Sequence, residues 1–203
     1  MGACNSKDGI SEPMVSAFKS ADELTDFNTF FPADKEIKSS LKKNLTEEIW
    51  NEYKDMSCKE GVSFKTCIFS GIKNLDSGIG VYAGSHDAYT TFNKLFDKVI
   101  EDYHQHGVND KHVSDMTSEG LTNTEFSEED AAMIVSSRIR VGRNLAGYPL
   151  GPGVTKEQRL EIMNHVVTAA GKFEGDLKGT FFPIEGMSKK VQNQLIADHF
   201  LFK

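Results

Sequence analysis

Cysteine is scarce in this sequence: Cys4, Cys58 and Cys67 are the only three in 203 residues, and no metal-ligand spacing relates them. An odd, scattered trio argues against a disulfide framework and fits a reducing compartment. No apolar run approaches the roughly 20 residues that a membrane-spanning helix needs, and no secretory signal peptide is visible at the N-terminus. Internal repeats are absent. There is no excess of positive charge either: 30 acidic residues against 23 basic ones leave a net charge of −7, which makes a general affinity for nucleic acid an unsuitable role. Three nucleotide-site signatures are missing as well, namely the GxxxxGK[ST] P-loop, a GxGxxG following a strand, and the HRDxxxxN loop of protein kinases. What remains is an ordinary globular composition, long enough for one large domain or for a small domain plus part of another.

Helical signals organise the chain. A helical pattern begins around Ser39, and LTEEIWNEYKDM (45 to 56) offers Thr46 as an N-cap with acids in the first turn. SHDAYTTFNKLFDKVIEDYH (85 to 104) is the clearest amphipathic helix. In it Tyr89, Phe92, Phe96, Val99 and Tyr103 recur at three- and four-residue steps, which predicts one aromatic stripe in the core. His86, His104 and His106 flank that stripe without a ligand partner and read as structural or solvated. From 107 to 130 the chain is polar and acidic, as a loop or linker would be. Within it DMTSEGLTNTEF places Gly120 at the sixth position of a calcium loop, but Phe126 stands where a bidentate glutamate is required, which rules that site out. TKEQRLEIMNHVVTAAG predicts a helix opened by a capping box of Thr155 and Gln158 and ended by Gly171. A further helix is expected from about Ser188, with Val191, Leu195, Ile196 and His199 at helical steps. The final FLFK places large apolar residues where termini are usually polar. The chain is therefore expected to continue as part of a longer protein.

Three stretches carry chemistry. In SSRIRVGRN (136 to 144), a strand would put Ser136, Arg138 and Arg140 on one face and Ser137, Ile139 and Val141 on the other. Same-face cations roughly 6.6 Å apart repel unless anions lie between them. A polyphosphate would meet that need through bidentate guanidinium contacts, and an edge strand protected by charge would explain the same residues. In LDSGIGVYAGS (75 to 85), Gly78 and Gly80 let successive N–H groups converge on an anion, Tyr82 adds a hydroxyl, and the helix that follows adds a favourable dipole. A carboxylate or a single phosphate suits such a loop, and so does a plain tight connection. Finally, MGACNSK matches the myristoylation pattern, with Gly2 exposed after removal of Met1 and Ser6 at the required position. One acyl chain anchors weakly, and Cys4 stands where palmitoylation would supply a second. A chance match at a start codon is the alternative.

Taken together, DSGIGVYAGSHDAYTTFNKLFDKVIEDYH, SSRIRVGRNLAGYPLGPG and GTFFPIEGMSKKVQNQLIADHFLFK resemble the phosphagen kinases, the ATP:guanidino phosphotransferases. Within that family they look most like arginine kinases, from about residue 20 to the last residue. The resemblance implies an α+β fold in which a small all-α N-terminal domain precedes the beginning of a larger antiparallel-sheet domain flanked by helices. With the acylation motif read as a tether over 1–18, the implied organisation is the helical domain over 19–110, a linker over 111–130 and the incomplete catalytic domain over 131–203. It implies reversible transfer of the ATP γ-phosphoryl group, with magnesium carried by the nucleotide, to a guanidino nitrogen of L-arginine or a relative such as taurocyamine or lombricine.

Residue by residue, the positions matching Ser77, Gly78, Ile79, Gly80 and Tyr82 hold the substrate carboxylate in the family. Asp76 matches an acid that pairs with an arginine of the larger domain on closure. Ser136, Arg138 and Arg140 match contacts to the nucleotide phosphates, and His199 a histidine near the nucleotide base. The family's reactive cysteine, its two substrate-binding glutamates and further phosphate-binding arginines are expected beyond residue 203, and neither Cys58 nor Cys67 matches that cysteine. No separate metal ligand is implied, and a homodimer is one of the family's oligomeric forms. With Gly2 and Cys4 acylated, the protein would sit at the cytoplasmic face of a membrane, for example beside a ciliary or flagellar motor, and buffer ATP there. A different class of function, a non-catalytic membrane-anchored module that binds nucleotide or arginine, stands as the second reading.

Overall fold

A computed structural model describes residues 14–121, 125–135 and 142–201. The chain divides into two compact units between Val154 and Thr155. In the first unit, short 3-10 turns at Ala21–Glu23 and Phe27–Thr29 precede helices α1 (Ser40–Asn44), α2 (Glu47–Tyr53), α3 (Phe64–Lys73), α4 (Ala88–Thr91), α5 (Asn93–His104) and α6 (Glu128–Met133). The second holds α7 (Lys156–Ala170), a 3-10 turn at Gly175–Leu177 and α8 (Lys189–Ala197). Among the described residues β structure is limited to two isolated antiparallel bridges, Val15–Asn74 and Ser57–Ser63. A helical small domain is thus present, and the strand expected over 136–141 lies outside the described residues.

Local caps set most of the helix starts. The hydroxyls of Ser39, Thr46 and Ser63 accept from the N–H groups of Lys42, Ile49 and Thr66, which satisfies amides that have no partner inside α1, α2 and α3. At α7 the predicted capping box is complete: Gln158 N–H donates to Thr155 Oγ1 at 3.2 Å, and Thr155 N–H donates to Gln158 Oε1 at 3.0 Å.

Every buried residue among those described lies between Leu24 and Val99. At the centre of that core, edge-to-face rings run from Phe30 to Trp50 (4.8 Å) and from Phe64 to Phe92 (5.1 Å), with Tyr53 5.4 Å from Phe92. Ring pairs of this kind contribute about 0.5–1.5 kcal/mol each beyond their buried area. In the second unit none of the described residues is buried.

The single helix expected over 85–104 is instead two. Ser85 Oγ donates to Asp87 Oδ1 (2.6 Å), and Asp87 Oδ2 accepts from Lys59 N–H (2.8 Å), so residues 85–87 form a turn tied to a distant loop. Thr90 Oγ1 bonds back to Asp87 O, and the helix then breaks at Phe92, whose φ of −113° and ψ of 33° are not helical. The break drops Phe92 into the core and turns Tyr89 off the stripe. Tyr89 is 46% and Tyr103 60% exposed, while Phe92, Phe96 and Val99 are buried. Helix α3 is the converse case, an element that the sequence periodicity did not announce. Its buried Phe64, Cys67, Ile68, Gly71 and Ile72 do follow helical steps, but two of the five are small residues that weaken the apolar signal.

Burial pushes the Cys67 thiol up from the ordinary value near 9 to about 11, and Cys58 is also raised, chiefly by desolvation. The unfolded chain therefore ionises Cys67 first, so the stability this thiol contributes is complete below pH 9 and is lost as pH rises towards 11. Urea titrations at pH 8 and pH 10.5 should show a smaller pH-dependent loss for Cys67→Ala than for the native chain. A thiol reagent should label Cys58 and Cys67 only as fast as the domain opens.

Candidate functional site at the glycine loop

The loop from Asp76 to Tyr82 is built by a close approach of two backbones. A Cβ on Gly71, in α3, would lie 2.5 Å from Gly80 Cα and closer still to the Gly80 carbonyl oxygen. Gly80 itself has φ +79°, a left-handed conformation that favours glycine, and a Cβ there would meet Gly71 Cα at 3.0 Å and Leu41 Cβ at 3.2 Å. That approach brings the carbonyls of Gly78 and Ile79 over the start of α1, where they accept from Ser40 N–H and Leu41 N–H at 2.9 Å each. Tyr82 N–H donates to Cys67 O (2.9 Å), and Ser77 N–H to Asn74 O (3.1 Å). Just upstream, the chain pairs with Met14–Ser16 through Leu75 N–H to Met14 O (2.7 Å) and Ser16 N–H to Lys73 O (2.8 Å). Both ends of the loop are thereby fixed.

With the carbonyls of Gly78 and Ile79 bonded to α1, the N–H groups of Gly78, Ile79 and Gly80 find no acceptor among the described residues. Three successive amides held in this way are suited to an anion of carboxylate or phosphate size. The dipole expected from the helix that follows is not available, since α4 has four residues and Asp87 precedes it. The helix N-terminus that meets the loop is that of α1, and its amides are already occupied. Ser77 is half-buried, Ile79 packs against the core, and Asp76 is exposed with no ion pair among the described residues. Tyr82 is 43% exposed and lines two cavities of about 410 and 420 Å³. Gly78, Gly80 and Tyr82 mark the loop in the sequence, whereas Gly71 shows there only as an isolated glycine among apolar residues at helical spacing.

Ser136, Arg138, Arg140, Gly2 and Cys4 lie outside the described residues. His199 is described, and it is not the helical residue that its spacing predicted. Its N–H donates to Ile196 O (3.1 Å) and that of Phe200 to Leu195 O (2.9 Å), the Schellman closure of α8, with His199 left-handed at φ 60° and exposed. Glycine is the usual occupant of that position. Among the described residues no group of three or more His, Cys, Asp or Glu side chains could hold a metal ion.

The first unit thus combines a helical core ending at Val99, a glycine loop in which the Gly78, Ile79 and Gly80 amides have no acceptor among the described residues, and a tyrosine at the loop's rim. Residues 35–101 match the family described as ATP:guanido phosphotransferase, N-terminal domain, and the chain belongs to that family of phosphagen kinases. Arginine kinase of Anthopleura japonica is 45% identical over 169 residues, which cover 83% of this chain and 24% of that protein. Arginine kinase Lit v 2.0101 of Penaeus vannamei is 40% identical over 196 residues, 96% of this chain and 52% of its own. Among solved structures, the duplicated taurocyamine kinase of Schistosoma mansoni with bound transition-state analogue components superposes with a TM-score of 0.70 at 31% identity, over 84% of this chain and 24% of that one. A lombricine kinase gives a TM-score of 0.64 at 28% identity, over 82% of this chain and 46% of that one. The chain spans about half, or less, of the length of these relatives.

Gly71→Ala should cost about 2–3 kcal/mol of unfolding free energy, because its methyl group has only backbone to displace. Gly78 faces open space, so Gly78→Ala should stay within about 0.5 kcal/mol of the native chain. Urea denaturation followed by Trp50 fluorescence separates the two. His199→Gly should leave α8 intact by circular dichroism and raise its helicity slightly, since the left-handed closure then carries no strain.

Proposed function

We propose that this chain is part of an arginine kinase-like phosphotransferase, with the Gly78–Gly80 amides and Tyr82 holding the α-carboxylate of L-arginine. The free amides of the pinned loop are the observation that carries the reading. Backbone donors of this kind suit the carboxylate end of a guanidino acid and leave the guanidinium to be oriented elsewhere. Arginine is preferred over taurocyamine or lombricine because the arginine kinases above share 40–45% identity with this chain, against 28–31% for the other two kinases.

In the proposed reaction, MgATP and L-arginine give MgADP, phosphoarginine and a proton. A bond forms between a guanidino nitrogen and the γ-phosphorus, the bond from that phosphorus to the β–γ bridging oxygen breaks, and the nitrogen releases its proton. Such transfers depend on alignment and on neutralising charge around the transferring group. Ser136, Arg138 and Arg140 would grip the nucleotide phosphates and His199 would lie near the base, on a larger domain that would be built on an antiparallel sheet. Asp76, exposed and unpaired among the described residues, is available for an ion pair with an arginine of that domain on closure.

The MGACNSK start supports a second part of the proposal: Gly2 is myristoylated, Cys4 is palmitoylated, and the protein is held at the cytoplasmic face of a membrane. A net charge of −7 offers no electrostatic attraction to anionic lipid, so two acyl chains would have to supply the anchoring.

Phosphorus NMR of the protein with MgATP and L-arginine should show a phosphoarginine resonance, and calorimetry should show L-arginine binding that Gly78→Ala weakens without unfolding the domain. Arg138→Ala should weaken ATP binding by about tenfold or more, and an unchanged affinity would remove the strand from the nucleotide site. Intact mass of protein expressed in a eukaryotic cell should show both acyl additions, with the Gly2→Ala variant losing them and moving to the soluble fraction.

A further inference from the structure

Residues 147 to 153, GYPLGPG, lie far along the sequence from the glycine loop yet fold back onto the same unit. Leu150 packs against the aromatic core from outside the Leu24–Val99 stretch, and its N–H donates to Gly84 O at 2.9 Å. Gly153 N–H closes the turn on Leu150 O (2.8 Å). The seat is tight. A Cβ on Gly153 would lie 2.6 Å from Val62 Cγ2 and closer still to Gly84 O, and a Cβ on Gly84 would overlap Val62 Cγ1. The turn is therefore keyed into its place by two glycines facing each other across a valine.

This turn ends against the rim of the candidate site. The two cavities beside the loop, one towards α3 and the other towards α5, share three residues: Tyr82, Gly151 and Pro152. Lining both cavities, these three stand where a partition between them would be. Tyr82 is anchored on its backbone side by Cys67 O, and the Gly151–Pro152 tip lines the same two cavities as its side chain. We propose that the Leu150–Gly153 turn is a positioning element for Tyr82, holding its ring at the partition and so tuning the glycine loop towards guanidino compounds that carry a carboxylate. This rests on the loop being the carboxylate site, as proposed above. Gly151 and Pro152 act through Tyr82 and need not touch the substrate.

The test compares binding of L-arginine with binding of agmatine, which has the same guanidinium and no carboxylate, for the native chain and for Gly153→Ala and Pro152→Ala. Gly153→Ala pushes the turn out of its seat, and Pro152→Ala removes the proline ring from the partition while leaving the seat as it is. Trp50 fluorescence and the urea midpoint report whether the core is intact. Both variants should lose about tenfold in L-arginine affinity, with agmatine changed by no more than about twofold, as expected when a positioning contact for one group is lost. Amide exchange at Val81–Ala83 should also become about tenfold faster in Gly153→Ala. A native arginine-to-agmatine ratio in both variants, with native exchange at these amides, would overturn the proposal. Should the native chain bind neither compound, the carboxylate reading of the loop falls. The exchange result then decides the turn by itself: faster exchange in Gly153→Ala upholds its hold on Tyr82, and unchanged exchange refutes it.

Discussion

The small domain depends on the contact between Gly71 and Gly80, where a helix backbone and a loop backbone meet with no side chain between them. Because α3 lets the loop come this close, the carbonyls of Gly78 and Ile79 reach the first amides of α1, and Tyr82 N–H reaches Cys67 O. Each of these bonds is worth on the order of 1 kcal/mol net. Their larger effect is directional. With the carbonyls committed to α1, the amides of the same residues have no acceptor among the described residues, so one steric fact shapes both the fold and the loop proposed to take an anion.

Around that contact the core is short in sequence and dense in aromatic rings. Phe30, Trp50, Phe64, Tyr53 and Phe92 join the 3-10 turns, α2, α3 and the break before α5 into one cluster, and Leu150 is added from much later in the chain. The ion pairs sit outside it. Lys43–Asp102 joins α1 to α5 and Lys94–Glu52 joins α5 to α2, all with partly exposed side chains that contribute little beyond register. Among the described residues the buried side chains are apolar apart from Ser39 and Ser85, and the ion pairs lie at the periphery.

Much of this was legible in the sequence, and the misses share a cause. Helix starts were readable because a cap is a local event: Thr46, Thr155 and Ser188 each bond an amide three residues on, and the box of Thr155 and Gln158 formed as its spacing implied. The glycine loop was legible from Gly78, Gly80 and Tyr82, and the match to the phosphagen kinases came from whole blocks around it. What failed depended on partners distant in sequence. The break at Phe92 follows from Asp87 holding Lys59 N–H, 28 residues away, and from a core slot between Tyr53 and Phe64. Tyr89 and Tyr103 kept the helical spacing but lost the face. Gly71 reads as a weak point in a helix until Gly80 is seen against it. His199 keeps step with α8 in the sequence and stands one residue past its C-cap in space.

The paired glycines also restrict how this site can diversify. Gly71, Gly84 and Gly153 have no room for even a methyl group and Gly80 is held left-handed in a tight seat, so the loop's backbone path and the turn that meets it offer few single substitutions for change to explore. Open positions are few and lie at the edge: Gly78, with nothing within 4 Å, the half-buried Ser77 and Ile79, and the exposed Tyr82. A lineage adapting this domain to a longer or differently charged ligand would therefore have to work by repainting the rim or by changing the loop's length, because the frame beneath it is nearly closed to gradual remodelling.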